Sequence, residues 1–221
     1  MKLKYVLLPT LLSLSTALGA LAIEKTSLFF YGQNEVHGGT AIVRETAHVD
    51  AYGGASVEAY DQTYINAFDT CTVIGYGHTT VYANADVKTK AFDNSRIFAH
   101  NKSDIDAAGN AYVQADGQST IMGHGNCNIT GAGNALIKAY DNCTVFAAGK
   151  CRVECYGNAS VMALGDVTVV AKDSSVVKAY GNTVVTASDS ATVDAYDNSK
   201  VTATKTAKVE VHDAAKKTIG G

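Results

Sequence analysis

Six histidines, five cysteines and 21 acidic residues give this chain the raw material for metal or acid–base chemistry. Spacing decides whether they can use it. His100 and His124 hold equivalent places in a recurring pattern, with His78 nearby, and stacked imidazoles would suit zinc or copper. Asp69, Asp93, Asp141 and Asp189 recur at multiples of 24, and a row of carboxylates would suit calcium, which takes oxygen ligands. Polar corner residues explain the histidines more simply. Lys90 and Lys138, each three residues ahead of an Asp of this series, explain the carboxylates by charge neutralisation. No Gly-Gly-x-Gly-x-Asp repeat, nucleophile–base pair or phosphate-binding loop is present, so the expectation is no cofactor, no metal site and no catalysis. Four Asn-x-Ser/Thr sequons begin at Asn101, Asn128, Asn142 and Asn158.

The element that must position these residues is a repeat. From Ala47 to Ala214 the sequence divides into 21 octads without insertion or deletion. The third position is Val or Ile in every octad except at Thr89. The fifth is nearly always Ala or Gly, and the first is mostly Ala, Ser, Thr or Cys. Positions one, three and five of a strand share a face, so small, β-branched and small residues make the buried side. Positions two and four face outward. Tyr-Gly-Asn or Tyr-Asp-Asn at positions six to eight tolerates a left-handed corner. Each octad is therefore a short strand and a corner, and the series builds a β-solenoid.

Three series recur at every third octad or at multiples of that interval. These are Gly109-Asn110 to Gly181-Asn182, the Asp series ending at Asp213, and the outward Ile74, Phe98, Met122, Phe146 and Val170. They predict an all-β fold: a single-chain, three-sided parallel solenoid with three octads per coil and about seven coils. Triangular packing would put Val and Ile near the axis and small residues beside the corners. On this reading Cys127 and Cys151 share one stack, one coil apart, while Cys71 and Cys143 face inward on another. Cys155 takes an alanine position. All five are expected to be small core residues rather than disulfide partners or metal ligands.

The octads "ASVEAYDQ", "CRVECYGN" and "ATVDAYDN" resemble the octapeptide-repeat β-solenoid proteins of bacteria and their phages. The resemblance covers residues 47–214 and implies architecture rather than activity.

The chain divides into residues 1–22, 23–46 as an N-terminal cap, 47–214 as the solenoid, and 215–221 as a tail. "MKLKYVLLPTLLSLSTALGALA" has the basic start, apolar stretch and small-residue end of a secretory signal peptide, so a secreted or cell-surface location is expected. An apolar capping helix is the other reading of that segment. A net charge of −3, a pI near 6.0 and only three arginines, Arg44, Arg96 and Arg152, give no basis for nucleic acid as a partner.

One outward face is expected to combine a threonine ladder (Thr72, Thr120, Thr144, Thr168) with the apolar stripe Ile74, Phe98, Met122, Phe146 and Val170. An exposed apolar stripe with a polar rim marks an interaction surface. The expected function is a structural or binding solenoid, such as an adhesin, spike or assembly component. Its expected partner is a protein or a second copy, or a surface glycan stacked on corner tyrosines such as Tyr52, Tyr76, Tyr156 and Tyr180. No small-molecule substrate is evident. The alternatives are a carbohydrate-processing β-helix enzyme and an ice- or metal-binding solenoid.

Overall fold

The computed structural model describes residues 26–220, and the expected leader at 1–22 lies outside them. Twenty-five strands run from β1 (Thr26–Phe29) to β25 (Lys216–Ile219). The odd-numbered strands form one 13-stranded parallel sheet and the even-numbered strands a 12-stranded one. The chain alternates between the two, giving a parallel β-solenoid with two sides and about 12 coils.

The coil length departs from expectation. Strand β10 (Arg96–His100) pairs with β12 (Tyr112–Ala115), placing Arg96 beside Tyr112 and Ile97 beside Val113. The step is 16 residues, two octads, instead of three octads, and the coils number about 12 instead of seven. A Cβ built on Gly133 would lie 3.0 Å from the Gly117 carbonyl oxygen, so Gly133 sits over Gly117 rather than Gly109. Twelve coils at about 4.8 Å make a rod of roughly 58 Å.

The corner explains why two sides suffice. Position seven is left-handed in almost every octad, as at Asp93 (φ 58°), Gly109 (φ 79°) and Asp141 (φ 57°). Glycine adopts that conformation without steric cost, and Asp tolerates it. The position-one amide closes the turn on the position-six carbonyl, as Ser95 does on Phe92 at 3.2 Å. Each such corner folds the chain back over itself. The small residues at positions one and five are needed because the two sheets converge at both edges.

The corner also leaves a backbone donor unpaired. Amides at positions six, eight and two bond to carbonyls of the preceding coil, as Tyr60 does to Val43, Gln62 to Glu45 and Tyr64 to Ala47. The position-seven amide is skipped, and where the next coil has Asp at position seven its carboxylate accepts it. Gly77 N–H donates to Asp93 Oδ2 at 3.0 Å, and Gly125 N–H to Asp141 Oδ2 at 2.9 Å. A charged acceptor strengthens such bonds. The Asp residues are thus coil-to-coil staples, which replaces the expected neutralisation by upstream lysines.

The interior is a continuous layer of Val, Ile and Ala. Its packing is complementary in detail. Gly123 and Gly131 stand where other octads have Ala, and the Cδ1 atoms of Ile129 and Ile137 fill the spaces their methyl groups would need, 2.5 Å from each ideal Cβ. Buried hydroxyls and thiols at position one find the position-six carbonyl three residues back, as Ser119 does at 2.9 Å and Cys127 at 3.1 Å. Thr89, alone at a Val/Ile position, has a buried hydroxyl without a partner.

The coils begin before the octads do. Thr26 pairs with Thr40 and Gln33 with His48, so residues expected as a separate cap already stack in parallel register. Asn34 takes an inward position there and donates to the carbonyls of Tyr31, Gly32 and His48. At the other end Lys217 stands beside Val201, and its Nζ donates to the Val209 carbonyl at 3.3 Å.

Candidate binding faces

Two-octad coils redistribute the expected stripe. Thr72, Ile74, Thr120, Met122, Thr168 and Val170 lie on the odd sheet, in β7 (Thr72–Gly75), β13 (Thr120–Gly123) and β19 (Thr168–Ala171). Phe98, Thr144 and Phe146 lie on the even sheet, in β10 and β16 (Thr144–Gly149). Three octads are one and a half coils, so each step of the series crosses to the opposite side. The single Thr/apolar face is therefore two partial ones.

What the even sheet carries instead is a contiguous aromatic array. His48, Tyr64, Tyr82, Phe98 and Tyr112 come from five successive strands, β4 (His48–Tyr52), β6 (Tyr64–Ala67), β8 (Thr80–Asn84), β10 and β12. Successive ring centroids are 4.3, 5.0, 4.8 and 6.2 Å apart. Burial, followed by the Tyr82 hydroxyl, raises the Tyr64 pKa. Further along the same side, Phe146, Met162 and Val176 are each exposed by about two-fifths. Reading positions two and four together at every second octad reveals this array. Either position alone hides it, because the aromatics shift from one to the other.

The corner aromatics also stack. At the edge where the chain passes from odd to even sheet, Tyr60, Tyr76 and Phe92 lie face to face at 5.0 and 5.1 Å, with Arg44 over Tyr60. His124, Tyr140 and Tyr156 form a second stack at 4.7 and 5.0 Å, with Lys172 against Tyr156. Ala108 stands between the two stacks. At the even-to-odd edge His37, Tyr52 and Phe68 stack at one end, and Tyr180, Tyr196 and His212 at the other. Within each stack the ring faces are turned to one another, so a sugar could reach open faces only where a stack ends. That corrects the expectation that each corner tyrosine is a stacking platform.

Beside the first edge runs an asparagine ladder. Asn110, Asn126, Asn142 and Asn158 each donate to the amide oxygen of the asparagine one coil back, beginning at Asn94, over 3.3–3.4 Å. Two of the sequon residues, Asn142 and Asn158, are rungs of it.

The expected His and Cys groupings separate in the same way. His100 lies at the even-to-odd edge and contacts Asp116 at 2.9 Å, while His124 lies at the opposite edge against Tyr140. Among the described residues no group of three or more His, Cys, Asp or Glu could hold a metal ion. Cys127 stacks under Cys143, not Cys151. Cys71 and Cys151 share the other edge, five coils apart. All five thiols are buried and free. Hydrogen bonding to Cys143, with burial, holds the Cys127 thiol well above its ordinary range, and burial pushes Cys155 up to about 11.

Comparison with family models, with curated proteins and with solved structures finds no match for this chain.

Proposed function

We propose that this chain is a non-catalytic rod that acts by presenting a flat face to another copy of itself or to a protein partner. It would serve outside the cell or at its surface as an adhesin, spike or assembly component. The observation that carries the reading is the half-buried aromatic array of the even sheet, ending at exposed Tyr112. A second apolar group of exposed Phe146, Met162 and Val176 lies beyond Asn128 and Thr130 of the intervening strand. Contiguous apolar area on an otherwise polar surface gains free energy when a matching surface covers it. The even sheet is a continuous face of 12 strands, so two such faces can meet over several coils.

The absence of catalysis rests on shape. From Ala47 onward the described coils carry no inserted loop that could wall a reaction cleft.

Phe98→Ser with Phe146→Ser tests the reading, because both residues project from the even sheet. In sedimentation the native chain is expected above its 23.1 kDa monomer mass, and the double variant at it. An unchanged sedimentation profile refutes association through this face.

A further inference from the structure

On the odd sheet, three neighbouring strands differ sharply in side-chain length. Strand β11 (Asp104–Ala107) lies between β9 (Lys88–Ala91) and β13. Asp104 pairs with Lys88 and Thr120, and Asp106 with Lys90 and Met122. Asp104 and Asp106 are shorter than Lys88 and Lys90 on one side and Met122 on the other, which leaves a trough over β11. A cavity of about 470 Å³ lies there, within the size range of small-ligand sites, and its lining includes Lys88, Lys90, Asp104, Asp106 and Met122. A second concavity of about 350 Å³ shares Lys88, Asp104 and Thr120 with the first and extends it toward the even-to-odd edge.

Past Asp106 the same rung reaches the opposite edge at Ala108. Phe92 and His124 stand one coil to either side, each already stacked on one face only, by Tyr76 and Tyr140 respectively. Two rungs span about 10 Å. That leaves room for one ring where the aromatic ladder is broken.

We infer that this trough binds a neutral oligosaccharide lying along β11, with one sugar ring seated over Ala108 between Phe92 and His124. The chemistry of the lining points to this class. Among the described residues the Lys and Arg ion pairs are Lys138–Glu154 and Arg152–Glu154, so Lys88 and Lys90 make no direct ion pair with the neighbouring Asp104 and Asp106. A row of ammonium donors, Lys88 and Lys90, lies beside a row of carboxylate acceptors, Asp104 and Asp106, with Met122 and Leu136 as apolar lining. That suits a ligand whose hydroxyl groups both donate and accept and whose ring faces are apolar. The C–H face of a pyranose is the complement of an open aromatic face. A peptide strand would need an unpaired sheet edge, and β11 is already paired on both sides. The site is separate from the aromatic array on the opposite sheet.

The test uses the full chain on an array of linear neutral hexose and N-acetylhexosamine oligomers, followed by titration calorimetry with a retained oligomer. Ala108→Tyr completes the ladder, so it is expected to raise Tm by about 2–6 °C while weakening binding tenfold or more. Asp106→Asn, which alters the lining without filling the slot, is expected to weaken binding to a similar degree. Lys208→Ser, an exposed position on the other sheet outside the aromatic array, should leave saccharide affinity unchanged. Three results would each overturn the proposal: no neutral oligomer retained, both trough variants binding like the native chain, or retention confined to sulfated glycans and lost with added salt.

Discussion

The two edges of this rod solve the same backbone problem and then diverge. Both turn mostly at left-handed Gly or Asp, with Ala85 and Asn101 as exceptions at the even-to-odd edge. Both use Asp to capture the amide that the coil ladder skips, as Asp141 does for Gly125 and Asp69 for Gly53. Beyond that, the odd-to-even edge is zipped by an unbroken ladder of five asparagines and by two aromatic stacks separated at Ala108. The even-to-odd edge has aromatic stacks only near its ends, with His100, Asp116, Ala132 and Ala148 among the residues between. The corner therefore constrains position seven tightly and leaves positions six and eight free. Surface character is set at those free positions and at the outward strand positions.

Substitutions can break that division, beginning with the constrained position. Gly117→Ala forces a side chain into a φ of +70° and places its Cβ 2.5 Å from the Asn101 carbonyl oxygen. The expected loss is about 2–4 kcal/mol in denaturant unfolding. Gly77→Ala at the opposite edge meets backbone only at 3.3 Å and should cost less. Equal losses at the two sites would show that strain in φ, not the coil-to-coil contact, dominates.

Gly123→Ala tests the interior of the odd-to-even edge. Its methyl group would collide with Ile129 Cδ1, costing about 1–3 kcal/mol, and Ile129→Val should recover most of that loss in a double-mutant cycle. Additive losses would rule out the proposed exchange of volume.

Staple and ladder come next. Asp141→Gly keeps the left-handed corner (φ 57°) but leaves the Gly125 amide without its carboxylate acceptor, and is expected to cost about 1 kcal/mol. Asn126→Ala removes two exposed side-chain bonds and should cost a few tenths to about 1 kcal/mol. An Asn126 loss larger than the Asp141 loss would invert the ranking of constrained over free positions.

The last effect vanishes near neutral pH and is confined to alkaline solution. Cys155 lies inside the odd-to-even edge, where burial raises its pKa from 9.0 to about 11. The folded state therefore retains a proton that the unfolded chain gives up, so this contribution to stability is present below pH 9 and lost as pH rises toward about 11. Cys155→Ala should flatten the alkaline side of the stability profile, and an unchanged slope would refute the assignment.

The octad, its inward and outward positions and its left-handed corner were legible in the sequence because each is local. The number of octads per coil was not, because an octad buries the same three positions whether two or three of them close a turn. The recurrence of Phe98, Met122 and Phe146 at every third octad reflects no stacking. The run Asn94, Asn110, Asn126, Asn142, Asn158 carries the true period, since amide side chains bond along a ladder only when they are one coil apart. The trough along β11 was hidden for the same reason. Lys90 and Asp106 become neighbours only once two octads complete a coil.

Two octads to the coil imply a parity rule for this chain's growth and loss. Deleting a pair of octads within the repeat shortens the rod by one layer and leaves every later side chain facing as before. Deleting a single octad preserves each corner and each buried valine, yet transfers all downstream surface residues to the opposite side, so recombination must count in pairs to keep the two surfaces distinct.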